Sequence, residues 1–184
     1  MLYFLGGAPR SGKSTVARKL LLEHHLPYFP TDCLMMGLRN GMPELNLPSG
    51  DPHATGERLW PVVRAMAMSL HWTGEKYLLE GDLLLPAYVA MLRTDLGGQL
   101  RACWLGYADI DVGEKVGQLC SLPSGPNDWI TRMNRPAIHQ LVTRMRGYSI
   151  DLRSACVEHD FPYYDGSVDF HSAVECAFDY LSGV

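Results

Sequence analysis

The chain has 184 residues, 47 % hydrophobic and 20 % charged, which suits one domain (residues 1–184) with a sizeable core. A formal charge of −4 argues against the broad basic footprint of a nucleic-acid binder. No apolar run approaches the roughly 18 residues that a membrane span needs.

Leu2-Tyr3-Phe4-Leu5 opens the chain as a short apolar run and predicts a buried strand over 2–6. Gly7-Ala8-Pro9-Arg10-Ser11-Gly12-Lys13-Ser14-Thr15 follows and satisfies G-x-x-x-x-G-K-[ST], the Walker A phosphate loop. Its glycines let backbone N–H groups close around phosphate oxygens without a Cβ in the way. Lys13 places a point charge on the terminal phosphates, and the Ser14 hydroxyl suits Mg²⁺. A helix over 13–25 then aims its positive end at the same anion. The nine residues Gly7–Thr15 are therefore the candidate site for ATP with Mg²⁺.

A second strand, 27–30, ends in Pro30-Thr31-Asp32. Asp32 is placed to accept a proton from an attacking hydroxyl, or else to cap the turn 33–39. Arg39 after that turn suits an anionic group of an acceptor, or plain solvent. Gly41, Pro43, Pro48, Gly50 and Pro52 mark 40–53 as a long loop, and Leu59, Val62, Val63, Met66 and Leu70 stripe a helix over 55–72. Tyr77-Leu78-Leu79-Glu80 forms a third strand that ends in charge. Glu80 or Asp82 there could hold the Mg²⁺ shell, with an ordinary solvated strand end as the alternative.

A helix near 86–97 precedes a fourth strand, 101–106, and a helix near 111–121 follows it. Asp95-Leu-Gly97-Gly98 matches D-x-x-G but falls at a helix end, and no N-K-x-D string reads guanine. Pro123-Ser124-Gly125-Pro126 predicts a hinge loop, and 128–159 a helical stretch broken near Pro136 and Gly147. Of its arginines (132, 135, 144, 146, 153), Arg132 and Arg135 stand i, i+3 on one face beside the hinge. A lid over 122–146 would bring them to a transferring phosphoryl group; the alternative is a solvated charged face. A fifth strand, 161–164, and a helix over 168–182 complete the chain.

Strands alternating with helices predict an α/β fold with a parallel sheet. Ligands of such sheets sit beyond the carboxyl ends of the strands, which puts the glycine loop, Asp32, Glu80-Gly81-Asp82 and Asp165 along one rim. His24-His25 suits a helix C-terminus rather than a metal site. Trp60, Trp72 and Trp104 read as core, as does Cys103. The five cysteines form no C-x-x-C pair, and no secretory leader is seen, so reduced thiols and a cytoplasmic setting are expected.

The loop, Thr31-Asp32, Glu80-Gly81 and the arginine-bearing segment together resemble the small P-loop kinases built like adenylate kinase. Within that group, Leu-Leu-Glu80-Gly81-Asp-Leu-Leu-Leu-Pro86 and Pro30-Thr31-Asp32 resemble the branch of 2-phosphoglycerate kinase, chloramphenicol phosphotransferase and zeta toxin. The resemblance implies a three-layer P-loop NTPase fold with five strands in the order 2-3-1-4-5. It also implies ATP as donor, Asp32 as base, a helical lid carrying arginines, and adenine held between a lid arginine and residues 165–168. The segment 33–75 would wall the acceptor side. The Phe-Pro-Arg expected after the third strand of nucleoside monophosphate kinases is missing, which favours a small-molecule hydroxyl acceptor. A nucleoside monophosphate kinase and a non-catalytic ATP-binding regulatory module remain the alternatives.

Overall fold

The five short apolar runs pair into one parallel sheet. The computed structural model describes residues 1–121 and 129–183. Its strands are β1 (Leu2–Gly7), β2 (Tyr28–Pro30), β3 (Tyr77–Gly81), β4 (Leu100–Gly106) and β5 (Tyr163–Asp165), in the spatial order β2-β3-β1-β4-β5. Helices α1 (Lys13–His24), α2 (Thr31–Gly41), α3 (Pro52–Trp72), α4 (Pro86–Asp95), α5 (Val112–Ser121), α6 (Arg135–Glu158) and α7 (Phe170–Ser182) connect and cover them.

Period-2 alternation divides the core between the two sheet faces. Phe4, Leu79, Ala102 and Trp104 pack against Trp60 and Val63 of α3, Val89 and Leu92 of α4, and Leu152 of α6. Leu5, Leu78, Cys103 and Leu105 face Val16 and Leu20 of α1 and Ala177 and Phe178 of α7. Trp104 is fully buried, and its indole N–H donates to the Leu84 carbonyl at 2.7 Å, so the polar edge of the ring is satisfied.

The order 2-3-1-4-5 and the helical layers define a P-loop NTPase-like α/β fold. Several local expectations need correction. The turn after Asp32 is a full helix, α2, whose N-cap position is Pro30 with no side-chain cap bond, so Asp32 is not its cap. The loop 40–53 shortens to a 3-10 turn at Pro43–Leu45 and an irregular 46–51; Asp51 then starts α3 by accepting from the His53 and Ala54 amides at 2.9 and 3.2 Å.

The stretch 128–159 is also divided differently. A 3-10 turn covers Trp129–Arg132, and Asn134 caps α6 by accepting from Ala137 N at 2.9 Å. Pro136 lies in the first turn of α6, where its missing N–H costs nothing, so it begins the helix rather than breaking it. The helix runs through Gly147 because Met145, Tyr148, Ser149 and Leu152 are buried around it. Arg132 and Arg135 therefore fall on two separate elements and do not share a helical face. Trp72 is 77 % exposed at the end of α3, not core. Among the described residues no helix is long and apolar enough to cross a membrane.

Candidate active site

Strand register assembles the site. β1 and β3 pair Leu5 with Glu80 and Gly6 with Gly81, which brings the end of β3 beside the glycine loop. β2 and β3 pair Pro30 with Glu80, which sets Thr31-Asp32 alongside Gly81-Asp82. Three chain segments far apart in sequence thus end at one rim, beyond the carboxyl ends of the strands.

Gly12 occupies the N-cap of α1 with φ 103°, a left-handed conformation that L side chains rarely adopt, and a Cβ there would lie 2.7 Å from Val174 of α7. Lys13 is buried, and its ammonium donates across the loop to the Ala8 carbonyl at 2.8 Å. The Ser11 hydroxyl is buried without a protein partner. A buried cation satisfied only by a carbonyl and an orphaned hydroxyl are groups to which a polyphosphate offers acceptors.

The Ser14 hydroxyl donates to Glu80 Oε1 at 3.3 Å. Glu80 is 5 % exposed, and burial raises its carboxyl above the ordinary range, with Lys13 and Ser14 opposing that rise. Asp32 opens to solvent, while the surrounding protein crowds its remaining sides and Asp82 stands at hydrogen-bonding range. Partial desolvation first, then the Asp82 carboxylate, pushes the Asp32 carboxyl up to about 7. Solvent access tempers the desolvation, and the shared position of two carboxyl groups fixes the direction. Gly81 is required between them: a Cβ would sit 1.8 Å from Thr31 Oγ1.

The opposite rim of the loop carries a residue that the sequence did not single out. Lys115 of α5 is 6 % exposed; its ammonium lies 3.4 Å from the Arg10 carbonyl and 4.5 Å above the Tyr107 ring centre. Burial, with the Arg10 charge, lowers its pKa. Tyr107 in turn donates to the Pro9 carbonyl at 2.8 Å. A lone lysine in an amphipathic helix reads as solvated, and only its burial against the loop between β1 and α1 reveals it.

Asp165 accepts from the amides of Ala108 and Ser167 at 2.8 and 2.9 Å and so fixes the turn after β4. Arg146 donates to the Ala108 carbonyl at 3.1 Å, and Arg153 pairs with Asp109 at 2.7 Å. These two arginines hold that same turn. Arg144 is exposed near Gly50, whose Cβ would lie 3.9 Å from its guanidinium. Arg132 and Arg135 are both exposed. The hinge at 123–126 lies outside the described residues. Arg39 donates to the Pro48 carbonyl at 2.7 Å and braces the 46–51 segment, while its Nε is buried without a protein partner. Among the described residues, no group of three or more His, Cys, Asp or Glu is placed to hold a metal ion.

Solved structures share the architecture. A gluconokinase from Sinorhizobium meliloti 1021 matches with TM-score 0.61 at 17 % identity, over 98 % of this chain and 91 % of that one. A sugar kinase from Janibacter sp. HTCC2649 matches at 0.56 and 16 %, over 98 % and 94 %. An uncharacterized protein from Eubacterium ventriosum ATCC 27560 matches at 0.54 and 12 %, over 100 % and 99 %. At such identities the likeness is one of fold. No family model and no curated protein sequence matches the chain.

Proposed function

We propose that the protein is an ATP-dependent phosphotransferase that moves the γ-phosphoryl group to a hydroxyl of a small-molecule acceptor. The observation that carries this reading is the meeting, at one rim of the sheet, of the phosphate loop, the Ser14–Glu80 pair and the Asp32 carboxyl. A regulatory ATP-binding module would need the first two and not the third. The gluconokinase and sugar-kinase neighbours are in keeping with it.

The residues suit the proposed ligands. Gly7 to Thr15 would wrap the phosphates, with Lys13 on the terminal ones. Ser14 and Glu80 would hold Mg²⁺, Glu80 directly or through water; the ion neutralises phosphate charge when bound. Two protein groups are enough for Mg²⁺, which keeps several waters and takes phosphate oxygens as ligands. Lys115 adds a buried cation at the outer side of the loop and belongs with the phosphate-binding residues.

In the transfer step the acceptor oxygen bonds to the γ-phosphorus, and the bond from that phosphorus to the β–γ bridging oxygen breaks. The acceptor's hydroxyl proton passes to an Asp32 oxygen, and ADP leaves with the bridging oxygen. A carboxyl with pKa near 7 suits a general base at neutral pH. Arg132 and Arg135, carried by a lid over about 122–146, would meet the charge that develops on the transferring group. The acceptor-side wall is formed by α2 and the start of α3, and the nucleobase would lie against residues 165–168.

The test is ADP release with ATP, Mg²⁺ and an acceptor pool. Asp32→Asn is expected to keep the ATP-induced rise in melting temperature and to lose transfer by ~10²-fold or more. Lys13→Ala is expected to lose that rise. Equal loss of binding and turnover in Asp32→Asn would reduce Asp32 to a structural residue.

A further inference from the structure

The first half of the phosphate loop is held from outside the loop. β1 pairs with β4 up to Gly7 and Leu105, and the Ala8 amide then donates to the Leu105 carbonyl at 3.0 Å. Beyond that point the strand ladder ends and side chains take over. The Pro9 carbonyl accepts from the Tyr107 hydroxyl at 2.8 Å, and the Arg10 carbonyl from the Lys115 ammonium at 3.4 Å. The second half is held within its own helix, since the Thr15 and Val16 amides donate to the Gly12 carbonyl at 3.0 and 3.2 Å.

The segment that Tyr107 holds is strained. Arg10 has φ 64°, in the left-handed region that a residue with a Cβ enters at a cost. Such a residue stays there only where its surroundings over-determine it. A left-handed residue in a turn also aims successive backbone amides toward one side, which makes a concavity for an anion.

Tyr107 is itself firmly placed. It is 3 % exposed, its amide donates to the Ser149 hydroxyl of α6 at 3.3 Å, and the Lys115 ammonium lies 4.5 Å above its ring. Burial raises its pKa well above the ordinary tyrosine value, with the Arg10 charge opposing the rise and Asp82 adding to it. The hydroxyl therefore keeps its proton and stays a donor. In the proposed transfer no proton moves to or from this hydroxyl.

We infer that Tyr107 is a positioning residue for phosphate binding: its hydroxyl, with Lys115 beside it, holds Pro9 and Arg10 so that Arg10 keeps its left-handed conformation and the loop its concavity. The inference rests on reading Gly7–Thr15 as the phosphate site of a phosphotransferase, and within that reading on binding rather than transfer. Tyr107 acts through the loop, so the strength with which phosphate binds is set in part by the turn after β4.

The experiment measures binding of Mg²⁺–tripolyphosphate and Mg²⁺–ATP by calorimetry, for wild type and Tyr107→Phe, at a temperature where both are folded. The substitution removes one oxygen and keeps the ring in the core and under Lys115. Kd for both probes is expected to rise by ~5-fold or more, the worth of a lost hydrogen bond. In turnover, KM for ATP is expected to rise likewise while KM for the acceptor stays the same. A merely structural hydroxyl would lower the melting temperature without ligand and leave both affinities unchanged, and that result would overturn the inference. If wild type binds ATP and transfers nothing, the phosphotransferase reading falls, and the affinity comparison still decides the inference. If wild type binds neither probe, both fall.

Discussion

At the scale of single residues, the Asp32 carboxyl trades stability for chemistry. Its folded pKa, about 7, lies above the ordinary value of 3.8, so the folded state holds a proton that the unfolded chain has released between those pH values. Stability therefore falls as pH climbs through that window, and above it ionised Asp32 weighs against the fold. Asp32→Asn removes the charge and is expected to melt higher than wild type at pH 8, with the gap closing toward pH 4. A gap that does not change with pH would contradict the account. Glu80 serves a different need. It is held to Ser14 beside the loop, so Glu80→Gln is expected to raise the Mg²⁺ midpoint for activity several-fold while leaving the fold intact. A midpoint equal to that of wild type would remove Glu80 from the cation shell.

At the scale of elements, the second half of α6 bonds both to Asp82 after β3 and to the turn after β4. Tyr148 holds Asp82, Arg146 holds Ala108 and Arg153 holds Asp109, all from one 24-residue helix. Gly147 lies in that helix with nothing within 4 Å of a Cβ position. Gly147→Ala is expected to stabilise the protein by about 1 kcal/mol, read as a higher urea midpoint at constant m. A lower midpoint would show that the helix needs its glycine. The strand–loop–helix unit over 2–25 was legible in the sequence because the phosphate motif and the apolar periodicities agree. Asp32 and Glu80 were legible because each ends an apolar strand in a charge. The pairing of Asp82 with Asp32 was not, since it depends on the register of β2 against β3, two strands some fifty residues apart. Lys115 was hidden for a similar reason: its burial arises from α5 docking on the loop between β1 and α1, which no local pattern encodes. The even spacing of Arg132 and Arg135 misled, because Asn134 starts a new helix between them.

At the scale of the whole molecule, the parallel order β2-β3-β1-β4-β5 puts the proposed acceptor-side residues and the proposed nucleotide-side residues on the two sides of β1. On one side β3 and β2 deliver Glu80, Asp82 and Asp32; on the other β4 and β5 deliver the Tyr107–Asp109 turn and Asp165. The glycine loop lies between them, and in the proposed reaction an acceptor entering from the β2 side would face a donor laid from the β5 side. In-line transfer between the two is the central claim. The direct measurement is ³¹P NMR of ATP and Mg²⁺ with the protein and a broad pool of small-molecule hydroxyl acceptors. A phosphomonoester resonance is expected to grow as the γ-phosphate signal falls and ADP appears, with no such signal in Asp32→Asn. Inorganic phosphate as the sole new species, or unchanged ATP despite binding, would contradict the account and leave a hydrolase or a regulatory module in its place.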